Sequence, residues 1–126
     1  MPVDHRPPRS LRVLLEPANP ALALRLGLQP DIEVVRDTLA RPAVALVEEP
    51  GAGAAVAAVA AVLADDPECA VLVLTGSARP GLLDAVLAAG AAGLVLRDGP
   101  IDDLADAIRR ASRGETVIDP SLRPRA

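Results

Sequence analysis

Short, continuous apolar runs alternate along this chain with stretches of helical spacing, and that alternation restricts the fold more than any other feature. Residues 11–15 (LRVLL), 32–35 (IEVV), 43–47 (AVALV), 70–74 (AVLVL) and 94–96 (LVL) have strand length. Runs of this kind, nearly continuous in apolar residues apart from Arg12 and Glu33, mark strands buried on both faces. Pro17 and Pro20 end the first run and open a short helix over 21–29, which Pro30-Asp31 breaks. After Gly51 and Gly53, the residues Val56, Val59, Val62 and Leu63 recur at helical spacing until Asp65-Asp66-Pro67. Leu82, Val86 and Ala89 align on a helix over 82–89, with Gly90 as its stop. Pro100 begins the last helix, whose apolar face is Ile101, Leu104, Ala105, Ile108 and Ala111. Asp102 and Asp103 near its start and Arg109, Arg110 and Arg113 near its end suit the helix dipole, and Gly114 closes it. Strands alternating with helices predict an α/β fold with a parallel five-stranded sheet covered on both faces.

The length, 126 residues, suits one domain. We expect a loose tail over 1–10, a domain over 11–120, and a tail or the start of a linker over 121–126. The chain has no Phe, Tyr or Trp, so the core must be aliphatic and no aromatic ring can stack on a base, a flavin or a sugar. The net charge is -4, and all 13 basic residues are Arg, scattered or near the termini. That balance argues against direct nucleic-acid binding. Cys69 stands alone, which excludes an internal disulfide and suits a cytoplasmic chain. The longest apolar stretch, 51–64, is shorter than the ~20 residues of a membrane span, so we expect no membrane contact.

Enzymatic motifs are weak. Gly51-Ala52-Gly53 before a helix resembles a phosphate-cradling loop but lacks both GxGxxG and a Lys-Ser/Thr ending, so it reads as a turn. His5 is the only histidine and lies in the tail, so neither a Ser-His-Asp nor a Cys-His set can be assembled. Asp65-Asp66 reads as a solvated helix end. We expect no enzymatic activity, no cofactor and no resident metal.

Three stretches carry a family resemblance. They are 11–15 with Pro20 and the Pro30–Val35 segment; VLVLTG (71–76) followed by AGAAGLVLRD (89–98); and 102–108 followed by GETVIDP (114–120). Together they resemble the receiver domain of NarL/LuxR-type bacterial response regulators, over about residues 11–120. The resemblance implies a flavodoxin-like, CheY-like three-layer sandwich with strand order 2-1-3-4-5. It also implies a site at the C-terminal ends of the strands. There the family binds Mg²⁺ with two acids after strand 1 and phosphorylates an Asp ending strand 3. A Thr or Ser ends strand 4, a Lys ends strand 5, and an aromatic in strand 5 acts as a switch.

Carried onto this chain, the set is damaged. The metal acids fall on Pro17 and Ala18, with Glu16 just before them. The phosphoacceptor position falls on Glu48, followed by Glu49. The hydroxyl is kept as Thr75, the Lys position holds Arg97, and the switch aromatic is Leu94. Mg²⁺ demands oxygen ligands, and Pro17 and Ala18 offer no side-chain oxygen. Without the metal, charge on a transferring phosphoryl group is poorly neutralised. Glu48 is one methylene longer than Asp, and Arg97 is larger and forked where Lys is a point charge. The resemblance therefore implies an atypical, phosphorylation-independent receiver. A shorter connection accompanies these changes. Only 36–42 separate strands 2 and 3, at most ~25 Å when extended, so helix 2 is reduced or missing, or strand 2 lies elsewhere.

Each of these residues has two readings. Glu16, Glu48 and Glu49 could mimic a phosphorylated state or pair with Arg97, or they could be solvated loop acids. Thr75 could be a retained switch hydroxyl or could satisfy nearby backbone. The family's fourth helix, fifth strand and fifth helix, here 82–111, usually form a dimer face. Asp84, Arg97, Asp102, Asp106, Arg109, Arg110 and Arg113 supply both charge signs there, for a homodimer or for a solvated surface. Such a domain commonly precedes a DNA-binding domain. The competing function is a small-ligand module using the vacated acidic pocket.

Overall fold

In the computed structural model, which describes residues 10–51 and 53–123, the apolar runs pair into one sheet. The elements are β1 (Leu11–Glu16), α1 (Pro20–Gly27), β2 (Ile32–Val35), a 3-10 turn (Thr38–Ala40), β3 (Val44–Glu48), α2 (Ala54–Asp65), β4 (Ala70–Thr75), α3 (Leu82–Ala88), β5 (Gly93–Leu96), α4 (Ile101–Ser112), β6 (Val117–Ile118) and a second 3-10 turn (Pro120–Leu122). The order is β2-β1-β3-β4-β5-β6, all parallel. The five expected strands take the expected order, and a two-residue strand extends the sheet beyond β5. His5 and the rest of 1–9, Ala52, and 124–126 lie outside the described residues.

Side-chain alternation sorts each strand between two apolar layers. Val13, Leu15, Val44, Leu46, Leu72, Leu74 and Val95 face α1 and α4. Leu14, Ala45, Val47, Val71, Val73 and Leu94 face α2 and α3. Leu46, Leu72, Leu74 and Leu94 are essentially inaccessible to solvent. Burying each such side chain contributes about 1.5–3 kcal/mol, so the aliphatic composition suffices for a core. Cys69 is buried in the second layer, and burial pushes its thiol up to about 11, which suits a packing role.

The β2–β3 connection is the single 3-10 turn, so helix 2 is reduced and β2 keeps its place beside β1. The Asp37 carboxylate caps the turn by accepting from the Leu39 N–H at 3.0 Å. Arg41 reverses the chain in the left-handed region at φ 52°. With no helix there, Leu39 is left 89% exposed.

Two helix starts differ in cap chemistry. The Asn19 side chain caps α1 by accepting from the Leu22 N–H at 3.1 Å, with Pro20 as first helical residue. Pro100 stands one position before α4, as its cap and not within its first turn. On the α1/α4 side, Arg109 grips Asp31 with two parallel bonds, Nε to Oδ2 at 2.8 Å and Nη2 to Oδ1 at 2.9 Å. That hydrogen-bonded guanidinium holds the Asp31 carboxyl below its usual range.

Candidate functional site

The family-matched positions other than Leu94 lie at the C-terminal rim of the sheet. Glu16 ends β1 opposite Val47, Glu48 ends β3 opposite Leu74, and Thr75 ends β4 opposite Leu96. Arg97 follows β5, its N–H donating to the Thr75 carbonyl at 2.8 Å. The rim location follows from parallel strands, which deliver all their C-termini to one side.

Three side chains at this rim, Glu48, Glu49 and Thr75, are engaged with the protein. Asn19 Nδ2 donates to Glu48 Oε1 at 3.0 Å. Its own Oδ1 is taken by the α1 cap, which fixes the amide's orientation. Glu48 is half-buried, whereas Glu49 is only 3% exposed. The Glu49 carboxylate turns onto the start of α2, accepting from the Gly51 N–H and, at 2.9 Å, from the Ala55 N–H. A carboxylate at a helix N-terminus satisfies orphan donors and meets the positive end of the dipole. Glu49 is therefore a structural cap, and the reading of it as a solvated loop acid is corrected.

Thr75 is buried, and its hydroxyl donates to the Ser77 carbonyl at 2.9 Å, holding the turn after β4. Arg97 pairs with neither Glu48 nor Glu49. Its guanidinium lies on Gly76, where a Cβ would stand 2.8 Å from Nη2, and its Nε is 3.8 Å from Asp98. Of the two readings of these acids, the Glu–Arg97 pair is not formed, and Arg97 has a backbone contact and a loose local pair instead. Leu94 is 1% exposed and packed in the α2/α3 layer, with no rotating ring in its place.

The metal of the family does not fit these residues. Pro17 and Ala18 are exposed and offer no side-chain oxygen. Glu48 is held by Asn19, Glu49 by α2, and no group of three or more His, Cys, Asp or Glu among the described residues is placed to hold an ion.

Two rim residues were not picked out from the sequence. Asn19 had a local signal, since Asn followed by Pro is a helix-start pattern. Arg79 had none. It reaches from the β4–α3 loop so that a Cβ on Gly51 would stand 3.4 Å from both its Nη atoms, laying a cation on the loop beside Glu49.

No protein-family model matches the chain. Among curated proteins it is 52% identical over 52 residues to the transcriptional regulatory protein YvfU of Bacillus subtilis (strain 168), which is 41% of this chain and 26% of that protein. It is 39% identical over 57 residues to the transcriptional regulatory protein DesR of the same organism, 45% of this chain and 29% of that protein. The matches thus span less than a third of either relative. Among solved structures, the response regulator ChrA of a heme-sensing two-component system superposes with a TM-score of 0.70 at 26% identity, over 93% of this chain and 68% of that one. The receiver domain of NarL from Mycobacterium tuberculosis gives 0.70 at 22% identity, over 86% of this chain and 100% of that one. A LuxR family DNA-binding response regulator from Silicibacter pomeroyi gives 0.66 at 19% identity, over 86% and 96%. The last two likenesses speak for the fold. Together the likenesses give this chain the fold of the response-regulator receiver domain, and its sequence is similar to two transcriptional regulatory proteins over 41% and 45% of its length.

Proposed function

We propose that this receiver works without phosphorylation, as a non-enzymatic cytoplasmic module that acts in transcriptional regulation through protein contacts. One observation carries the reading: both carboxylates at the end of β3 are already spoken for, Glu48 by Asn19 and Glu49 by the start of α2. A phosphoacceptor must be free to attack and must share a metal with neighbouring acids. Glu48 would have to give up its amide partner and work beside Pro17 and Ala18.

The partner we propose is a second copy, across α3, β5 and α4, with a fused DNA-binding domain in the whole protein. The relatives named as DNA-binding or transcriptional regulators support the second part. Charge contributes less to the first part than the residue list implies. Arg109 is spent on Asp31, Arg110 and Arg113 on Glu115, and Asp102 accepts from Gln29. The ligand-module alternative gains no support, because Glu48 and Glu49 are held by the protein itself.

The test is sedimentation velocity with and without acetyl phosphate and Mg²⁺. The mass distribution is expected to stay the same. A shift that requires both reagents would refute the proposal.

A further inference from the structure

The edge of β5 is covered by the chain's own segment 117–122, and the fit is specific. Val117 and Ile118 pair with Gly93 and Leu94. The Val117 N–H donates to the Ala92 carbonyl at 2.9 Å, and the Asp119 N–H to the Leu94 carbonyl at 3.0 Å. Gly93 makes the approach possible, because a Cβ there would stand 1.8 Å from the Val117 carbonyl oxygen. Leu122, 5% exposed, then crosses the sheet edge and joins the α2/α3 layer with Leu94. Val117 lies in the opposite layer, so two apolar anchors hold the segment, one on each side of the sheet.

The joint before this segment is short and conformationally special. Gly114 sits at φ +87° after α4, with its N–H donating to the Ala111 carbonyl and the Glu115 N–H to the Arg110 carbonyl. This is a left-handed helix stop that turns the chain back onto its own sheet. A Cβ on Gly114 would meet nothing within 4 Å, so only backbone conformation restrains that position. Glu115 is clasped by Arg110 and Arg113, each at 3.2 Å, which helps hold the turn closed.

We propose that segment 117–122 exchanges between two copies of this chain, each seating its strap on the other's β5. The seat identifies its occupant, since the only sequence it has been fitted to is this one, and a second copy carries the same six residues. Straightening Gly114 converts the closed form into the exchanged one, in which the strap remakes its own contacts on the other copy. The inference rests on the homodimer reading and specifies how the dimer forms.

Three variants analysed by light scattering after size exclusion, with circular dichroism to confirm folding, test it. Gly114→Val penalises the left-handed turn without a clash and, with two turns relieved per dimer, is expected to raise the dimer association constant about a hundredfold. Leu122→Asp unseats the strap in both forms, leaving open monomers, and is expected to abolish that dimer, alone or combined with Gly114→Val. Gly93→Ala blocks the same seat from the β5 side and must agree if Leu122→Asp fails to fold. A dimer that ignores Gly114→Val, or that persists in a folded seat variant, overturns the exchange and leaves the homodimer reading standing. Monomers throughout overturn both.

Discussion

Along β4, Val71, Leu72, Val73 and Leu74 pack alternately into two aliphatic layers, while Thr75, the next residue, belongs to a rim where side chains are tied to one another and to backbone. The interior tolerates many sequences that keep volume and alternation, so a receiver-like core can be built from Ala, Val, Leu and Ile with the single Cys69. The rim has no such latitude. Metal binding and phosphoryl transfer need particular atoms at particular points, and on the reading proposed above Pro17, Ala18 and the longer Glu48 do not supply them. The side chains there stabilise locally: Glu49 caps α2, Asn19 bridges α1 to Glu48, and Thr75 holds its own turn.

The contrast can be attacked first in the interior. Leu72→Ala opens a void between strands and helices and is expected to cost about 2–5 kcal/mol, read by urea denaturation with circular dichroism because the chain has no Trp or Tyr. At the rim, Glu49→Ala strips the α2 cap and should cost about 2 kcal/mol, with Glu49→Gln recovering part of that through its carbonyl. A negligible loss in Glu49→Ala would mean that the rim contributes nothing to stability. Asp31→Asn, at the α1/α4 side, should cost about 0.5–1 kcal/mol near neutrality, with a loss that shrinks as salt is raised. Asp31 is depressed in the folded state, so its contribution is complete above about pH 4, its unfolded value. It fades as pH falls through the lower folded value. The wild type should therefore lose more stability than the variant on acidification, and parallel acid limbs would contradict the assignment. Smallest of all, Glu48→Gln keeps an acceptor for Asn19 and should move stability by less than about 0.5 kcal/mol.

How much of this was legible before the structure follows from the range of each signal. The strands, the helices and the rim placement of Glu48, Thr75 and Arg97 follow from short-range periodicity and motif order. The roles of those residues do not, because a side chain's partner lies across the fold. Nothing in the sequence separates Glu48 from Glu49, yet strand pairing sends one toward Asn19 and the other to the start of α2. The Asp31–Arg109 grip spans most of the chain, and Arg109 seemed available for a dimer face until Asp31 was found beside it. The strand β6 was hidden for a different reason: two residues are too few to display a period, and its main signal was Gly93 on the neighbouring strand.

The most direct test of the central claim is the intact mass of the wild-type chain after incubation with acetyl phosphate and Mg²⁺. The account predicts no phosphoryl adduct, because the metal acids are absent and both carboxylates at the end of β3 are engaged. A stoichiometric phosphoryl adduct that disappears in Glu48→Gln would contradict it.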